Sequence, residues 1–202
     1  QTLREHMGFT PCRADNDVWM RPLFKLNGEP YYEYIFVYTD DIMVISHSPR
    51  PILDKLNTYF LLKPDSIGQP NLYLGASILP FTVKGDELRP KCAISSELYV
   101  KEAVRLVKAW VEKRGLMLKS KAPGVMPYNY TPELDGSAEL DDERATYYQS
   151  LIGILRWAVE LGRIDICTEV SVMSSYTAMP REGHLEALFH IFVSLSTHNR
   201  SK

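Results

Sequence analysis

The longest strand signal in the chain is Tyr31 to Tyr38, interrupted by Thr39-Asp40-Asp41 and followed by Ile42-Met43-Val44-Ile45. These two runs, rich in β-branched and aromatic residues, predict two strands. Val18-Trp19-Met20-Arg21 predicts a shorter strand that stops at Pro22, and Asn27-Gly28 a turn between extended segments. Residues 1–9 fit the last turn of a helix with Gly8 past its end, and Arg13 to Asp17 fit a loop. Pro51 opens a helix with Ile52, Leu53, Leu56 and Phe60 on one face. Leu72 to Ile78 predicts a strand in which Gly75 marks a bulge or a close backbone approach, and Val83 to Asp86 a turn. Ser95 or Ser96 caps the next helix, striped by Val100, Ala103, Val104, Val107 and Val111 and ended by Gly115. Residues 119–141 are rich in Pro, Gly, Asn, Ser and Asp, which marks a linker and the best boundary in the chain. Three helices are predicted after it, near Asp142–Leu161, Asp165–Ala178 and Arg181–His198, the last with Leu185, Leu188, Phe189, Phe192 and Val193 on one face. Strands first and helices later favour an α+β fold.

Composition narrows the class. The 202 residues carry 23 Lys+Arg against 25 Asp+Glu, and 45% are hydrophobic. Those values suit a globular chain with a buried core and argue against disorder. The near-neutral charge argues against a protein that grips nucleic acid with its whole surface, although a local basic stripe is compatible with it. Three widely spaced cysteines, Cys12, Cys92 and Cys167, make no disulfide framework or zinc pair. No apolar run approaches the length of a membrane span. The chain opens on Gln1 rather than Met and reads as a piece of something longer.

The chemistry concentrates at Tyr38-Thr39-Asp40-Asp41, two acids held between runs that look buried on both faces. Two ionised carboxylates about 4 Å apart repel by roughly 4 kcal/mol at an effective dielectric of 20. Either one acid stays protonated or a cation sits beside them. Carboxylate oxygens are hard ligands that suit Mg²⁺, and paired ions of this kind serve phosphoryl transfer. Asp141-Asp142 shows the bland version of the same doublet, a solvated start to a helix.

Tyr34 to Val44 resembles the Tyr-x-Asp-Asp hairpin of reverse transcriptases. Gly8-Phe9-Thr10-Pro11-Cys12-Arg13-Ala14-Asp15, followed by Val18-Trp19-Met20, is similar to the segment before that hairpin in copia-type LTR retrotransposon polymerases. Leu62 to Gly68 and Tyr73 to Ile78 resemble that family's Lys-Asp-x-Gly and Tyr-Phe-Leu-Gly-x-x-Ile stretches. Tyr148 to Trp157 resembles Tyr-x-x-Leu-x-Gly-x-Leu-x-Tyr, Arg163-Ile164-Asp165-Ile166 stands where Arg-Pro-Asp-Ile is usual, and Pro180 and His184 also fall in place. The ordered set spans nearly the whole chain.

The resemblance implies a partial polymerase palm and helical regions after it. Residues 1–90 would be the second half of the palm with a primer-grip-like hairpin, 91–140 a thumb-like helix and linker, and 141–202 a connection ahead of an RNase H domain. Asp40 and Asp41 would ligate two catalytic Mg²⁺ ions in the complete enzyme. Tyr38, Thr39, Tyr73, Leu74 and Gly75 would lie near primer and nucleotide, and Lys63 is a candidate proton donor. Lys101, Arg105 and Lys108, on one side of the 95–115 helix, would face the nucleic-acid backbone, with Lys113, Arg114, Lys119 and Lys121 after them. By spacing alone these cations also read as a solvated helix face. The implied partners are an RNA or DNA template with its primer, dNTPs, and the fingers, first palm strands and RNase H of one polyprotein. No membrane is involved, and the location would be cytoplasmic, within particles of the element.

The implied reaction is attack of a primer 3′-hydroxyl on a dNTP α-phosphate. The third palm aspartate of the family has no counterpart on an upstream strand, since Asp15 and Asp17 fall in the polar loop. The alternative is therefore an inactive remnant that folds or binds nucleic acid without polymerising. A metal-dependent nucleotide cyclase with a similar hairpin is a third reading, which the matches at 72–78 and 147–166 oppose.

Overall fold

The computed structural model describes residues 1–63, 65 and 67–198. Pro64 and Ser66, within the Leu62–Gly68 stretch, lie outside the described residues. The described chain is mixed α+β, with antiparallel sheets and six α-helices. It divides into two compact units, Gln1–Leu74 and Gly75–Lys202. The division falls inside the first of the three regions expected from sequence, and the 119–141 segment, expected as the best boundary, lies within the second unit.

The first unit is a meander of β1 (Thr10–Pro11), β2 (Val18–Phe24), β3 (Pro30–Tyr38) and β4 (Asp41–Ile45), each strand antiparallel to the next. Gly28, at a φ of 82°, turns β2 into β3 at the expected Asn-Gly, where a residue with a Cβ would be strained. The β2 strand does not stop at Pro22 but runs on to Phe24. Val37 N–H donates to the Asp17 carbonyl at 2.9 Å, and that fixes the alternation of the ladder. Pro22, opposite Tyr32, then falls at a non-hydrogen-bonded position where its missing N–H costs nothing. The two-residue β1 reaches only Trp19 and Met20, so β2 is an edge strand at Pro22.

Two short helices, α1 (Thr2–Glu5) and α2 (Pro49–Asn57), accompany this sheet. Pro49, not Pro51, is the first residue of α2, and Ile52 and Leu56 are its buried residues. They join Leu3, Met7, Phe9 and Ile35 in a small core, with Trp19, Val37, Ile42 and Val44 packed against it. Within the strand ladder, Glu33 is buried beside Arg21. Its carboxylate accepts from Ser46 Oγ at 2.5 Å, from Arg21 Nε at 3.1 Å and Nη2 at 2.5 Å, and from the Tyr31 hydroxyl at 3.3 Å. Burial pushes this carboxyl up, but the bonds from Ser46 and Arg21, the guanidinium charge and Tyr31 outweigh it and hold it below the usual carboxylate range.

The expected strand from Leu72 to Ile78 is broken in two. β5 (Leu72–Tyr73) ends at Leu74 and Gly75, both left-handed with φ of 52° and 86°, and β6 (Ala76–Val83) begins after them. Gly75 is therefore a turn residue rather than a bulge. A Cβ there would meet Tyr99 and Leu161 only at 3.8 and 3.9 Å, so its conformation and not crowding calls for glycine.

In the second unit β6 pairs with β7 (Asp86–Ser95) through the expected turn at Lys84-Gly85. The four helices α3 (Glu97–Glu112), α4 (Asp142–Glu160), α5 (Cys167–Ser174) and α6 (Glu182–Thr197) share one core. Its members include Val104 and Val107 from the stripe expected of α3, Leu188 and Phe192 from that expected of α6, and Leu151, Leu155 and Met173 from the helices between them. Asp141 caps α4 by accepting from the Arg144 N–H at 2.9 Å, the solvated helix start expected of that doublet. The helix expected from Asp165 is shorter, because Ile164–Ile166 forms a 3₁₀ turn and the α-helix ends at Ser174. Among the described residues no helix is long and apolar enough to cross a membrane.

Candidate functional site

Tyr38 pairs with Asp41, so Thr39 and Asp40 are the whole loop between β3 and β4. A two-residue loop of this kind needs left-handed backbone, and Thr39 supplies it at a φ of 53°. A β-branched residue resists that region, so the tip of the hairpin is strained by its own sequence. The geometry fixes Asp40 in the loop and Asp41 as the first residue of β4, both exposed. Water therefore screens the repulsion that burial would have made severe.

The loop from Arg13 to Asp17 comes up beside this tip. Asp15 Oδ1 accepts from Asp17 N–H at 2.9 Å, and the Asp17 carbonyl accepts from Val37. Tyr73 reports the same gathering of charge. Burial pushes its phenol up, and the negative charges of Asp41, Asp15 and Asp17 push it further. Two acids that the sequence places in a remote polar loop thus stand within electrostatic reach of the same hydroxyl as Asp41. The signal for this was the register of β2 against β3, which no local pattern reveals.

A cavity of about 730 Å³ opens beside the two acids, all of it within the first unit. Asp40, Asp41, Ile42, Arg50, Leu53, Leu62, Asp65 and Tyr73 are among its lining residues. Arg50 is held by Asp54 at 2.9 Å. Lys63 is exposed and sits in the chain between Leu62 and Asp65. Leu72 and Tyr73 reach the cavity, while Leu74 and Gly75 form the turn that follows.

The donor set of the tip is a pair of exposed carboxylates. Among the described residues no group of three or more His, Cys, Asp and Glu side chains is arranged to hold a metal ion. A carboxylate pair still suits Mg²⁺, which keeps several waters and is commonly held by one or two carboxylates together with phosphate oxygens. The residues present therefore fit one such ion in company with a phosphate-bearing ligand, and do not by themselves build a closed cage.

The cations of α3 come together in the second unit. Lys101, Arg105 and Lys108 line a cleft of about 280 Å³ with Leu195 and Ser196 of α6. Glu97 holds Lys101 at 2.6 Å, and Glu102 holds Arg105 at 2.8 and 2.6 Å. Lys108 is exposed and has no ion pair among the described residues. Pairs this exposed are screened by water and yield to a phosphate at small cost.

His184 and Trp110 are held by structural contacts. His184 is buried, and its Nδ1 accepts from the Arg181 N–H at 3.0 Å. Its Nε2 must then carry the proton, which it donates to the Pro132 carbonyl at 3.1 Å. Both nitrogens are committed, so His184 is a clamp on the start of α6 and no metal ligand. Trp110 lies between Tyr147, stacked at 3.9 Å, and the Arg114 guanidinium at 3.7 Å, and so packs rather than offering a free face. No protein family, no curated protein and no solved structure matches this chain.

Proposed function

We propose that the chain is part of an RNA-directed DNA polymerase similar to those of copia-type retrotransposons, with β3 and β4 as its palm hairpin. The observation that carries this is the tip itself: two adjacent carboxylates, one on a strained two-residue loop and one on the first residue of β4, both lining a cavity large enough for a nucleotide. Strain of this kind is kept where the position of a side chain matters more than stability. Asp40 and Asp41 would hold Mg²⁺, which when bound supplies a positive charge opposite the phosphates of an incoming nucleotide and lowers the cost of ionising a primer hydroxyl. Tyr73, its phenol kept protonated by burial and the nearby acids, offers a hydrogen-bond donor at the cavity wall. Lys63 would serve as a proton donor from the segment next to Asp65. Lys108, with Lys101 and Arg105 once released from their glutamates, would bind backbone phosphates.

The test is primer extension on an RNA template in Mg²⁺, with a protein extended upstream of Gln1 and an Asp40→Asn partner. Extension by the first and not the second supports the proposal. Equal extension by both would reject Asp40 as a ligand. A second reading, an inactive remnant, draws support from the absence, among the described residues, of three or more acids, His or Cys arranged to hold a metal ion. It predicts no extension by either protein.

A further inference from the structure

The sheet of the first unit is apolar on both faces, and the core formed with α1 and α2 covers one of them. Alternation along β3 sends Glu33, Ile35 and Val37 to the covered side and Tyr32, Tyr34, Phe36 and Tyr38 to the other. Met20 and Ile45 flank Tyr34 on that second face, and Val18 and Met43 flank Phe36. Phe24 is 71% exposed, Tyr32 and Ile45 50%, and Tyr38 45%. From Val18 to Tyr38 no position on this side of β2 or β3 carries a charge. A sheet with two apolar faces needs a layer on each, and a patch of this extent marks an interaction surface.

We propose that this face binds the same face of a second copy of the chain, making a two-sheet sandwich. At these exposures, with side chains of roughly 200 Å² apiece, those four offer about 430 Å², and the partly exposed Met20, Tyr34, Phe36 and Met43 bring the patch to about 600 Å² per copy. Two copies would bury about 1,200 Å², the lower edge of specific interfaces, which sets a reversible dimer. Charge chooses the symmetry. Asp41 ends the face at one extreme, and the uncharged Phe24 ends it at the other. A twofold axis across the strands lays the acidic end of each sheet over the Phe24 end of its partner and keeps the carboxylates apart. A polyanion fits this surface less well, because the face holds no Lys or Arg and closes on an acid.

Sedimentation equilibrium of the whole chain over micromolar concentrations tests this. The expected result is a monomer–dimer equilibrium. Met20→Arg, an outward substitution, should raise the dissociation constant on the order of thirtyfold or more while leaving helix content unchanged. With Cys12, Cys92 and Cys167 replaced by Ser, Tyr34→Cys lies beside the axis and should form an intermolecular disulfide on oxidation. Tyr38→Cys, about 27 Å from its counterpart in this arrangement, should not. A monomer at every concentration, equal cross-linking from both cysteines, or association untouched by Met20→Arg would overturn the proposal. A monomer that binds labelled oligothymidylate in a Tyr34-dependent way would overturn it too, and would assign the face to base stacking.

Discussion

Gly183, the second residue of α6, has no room for a side chain. A Cβ there would stand 2.0 Å from Asp135 Oδ2 and 2.9 Å from its Cγ. The Asp135 carboxylate is fixed by the Tyr130 hydroxyl at 2.5 Å and the Ser137 N–H at 2.8 Å, and the Gly183 N–H donates to Ser137 Oγ at 2.9 Å. The loop carrying Asp135 and Ser137 thereby satisfies the start of the helix and sets a negative charge at its positive end. Gly183→Ala must push the carboxylate out of place and loosen two hydrogen bonds to a charged acceptor, at about 1.5–3 kcal/mol each. Alanine returns up to about 1 kcal/mol through its helix propensity. The net loss is about 2–5 kcal/mol. In an Asp135→Ala background the obstacle is gone, and the same substitution should be neutral or stabilise by up to about 1 kcal/mol. Urea unfolding of the four proteins, followed by circular dichroism at 222 nm, measures the coupling. An equal cost in both backgrounds would refute the argument, because the contact would then not be what excludes a side chain.

Acid should weaken the chain through the same kind of bond. The Glu33 and Asp135 carboxyls stand below their usual range, because the hydrogen bonds and charges around each outweigh burial; Asp165 does so chiefly through its bonds from Arg163. Their contribution is present above the unfolded values near 4 and is lost as pH falls through the folded ones, so the urea midpoint should drop below about pH 4, and less so in Glu33→Gln. The Arg163 side chain is 2% exposed, paired with Asp165 at 2.6 Å, and its Nη1 has no partner among the described residues. Arg163→Met should therefore stay within about 1 kcal/mol of the parent, whereas Asp165→Ala, which strands the charge, should cost about 2–3 kcal/mol; the reverse order in denaturant titration would refute this. Thr39→Gly should raise the stability of the first unit by roughly 0.5–1 kcal/mol by relieving the left-handed threonine, and a lower melting temperature would count against strain at the tip.

The elements that followed from local pattern are those whose partner lies next in the chain. The β3–β4 hairpin, the Asn27-Gly28 turn and the valine stripe of α3 needed only periodicity and turn residues. The errors arise where a distant segment decides the outcome. Pro22 belongs to a strand because β1 is too short to need its N–H. Leu74 takes a left-handed backbone for which leucine has no preference, so the break in the Leu72–Ile78 run was invisible. The site shows the same division. Asp40 and Asp41 announce themselves, while the approach of Asp15 and Asp17 to Tyr73 depends on register, and the pairing of Lys101 and Arg105 with glutamates one turn away depends on rotamers.

The meander order of the first sheet has a consequence for synthesis. Every ladder, β1 with β2, β2 with β3 and β3 with β4, joins strands that are neighbours in the chain. Loop closure for each is cheap, so pairing can advance strand by strand as the polypeptide leaves the ribosome. The sheet is complete once Ile45 has emerged, well before the helices of the second unit exist. For that interval its aromatic face is exposed before any later part of the chain has folded, which is when such a surface is most prone to association.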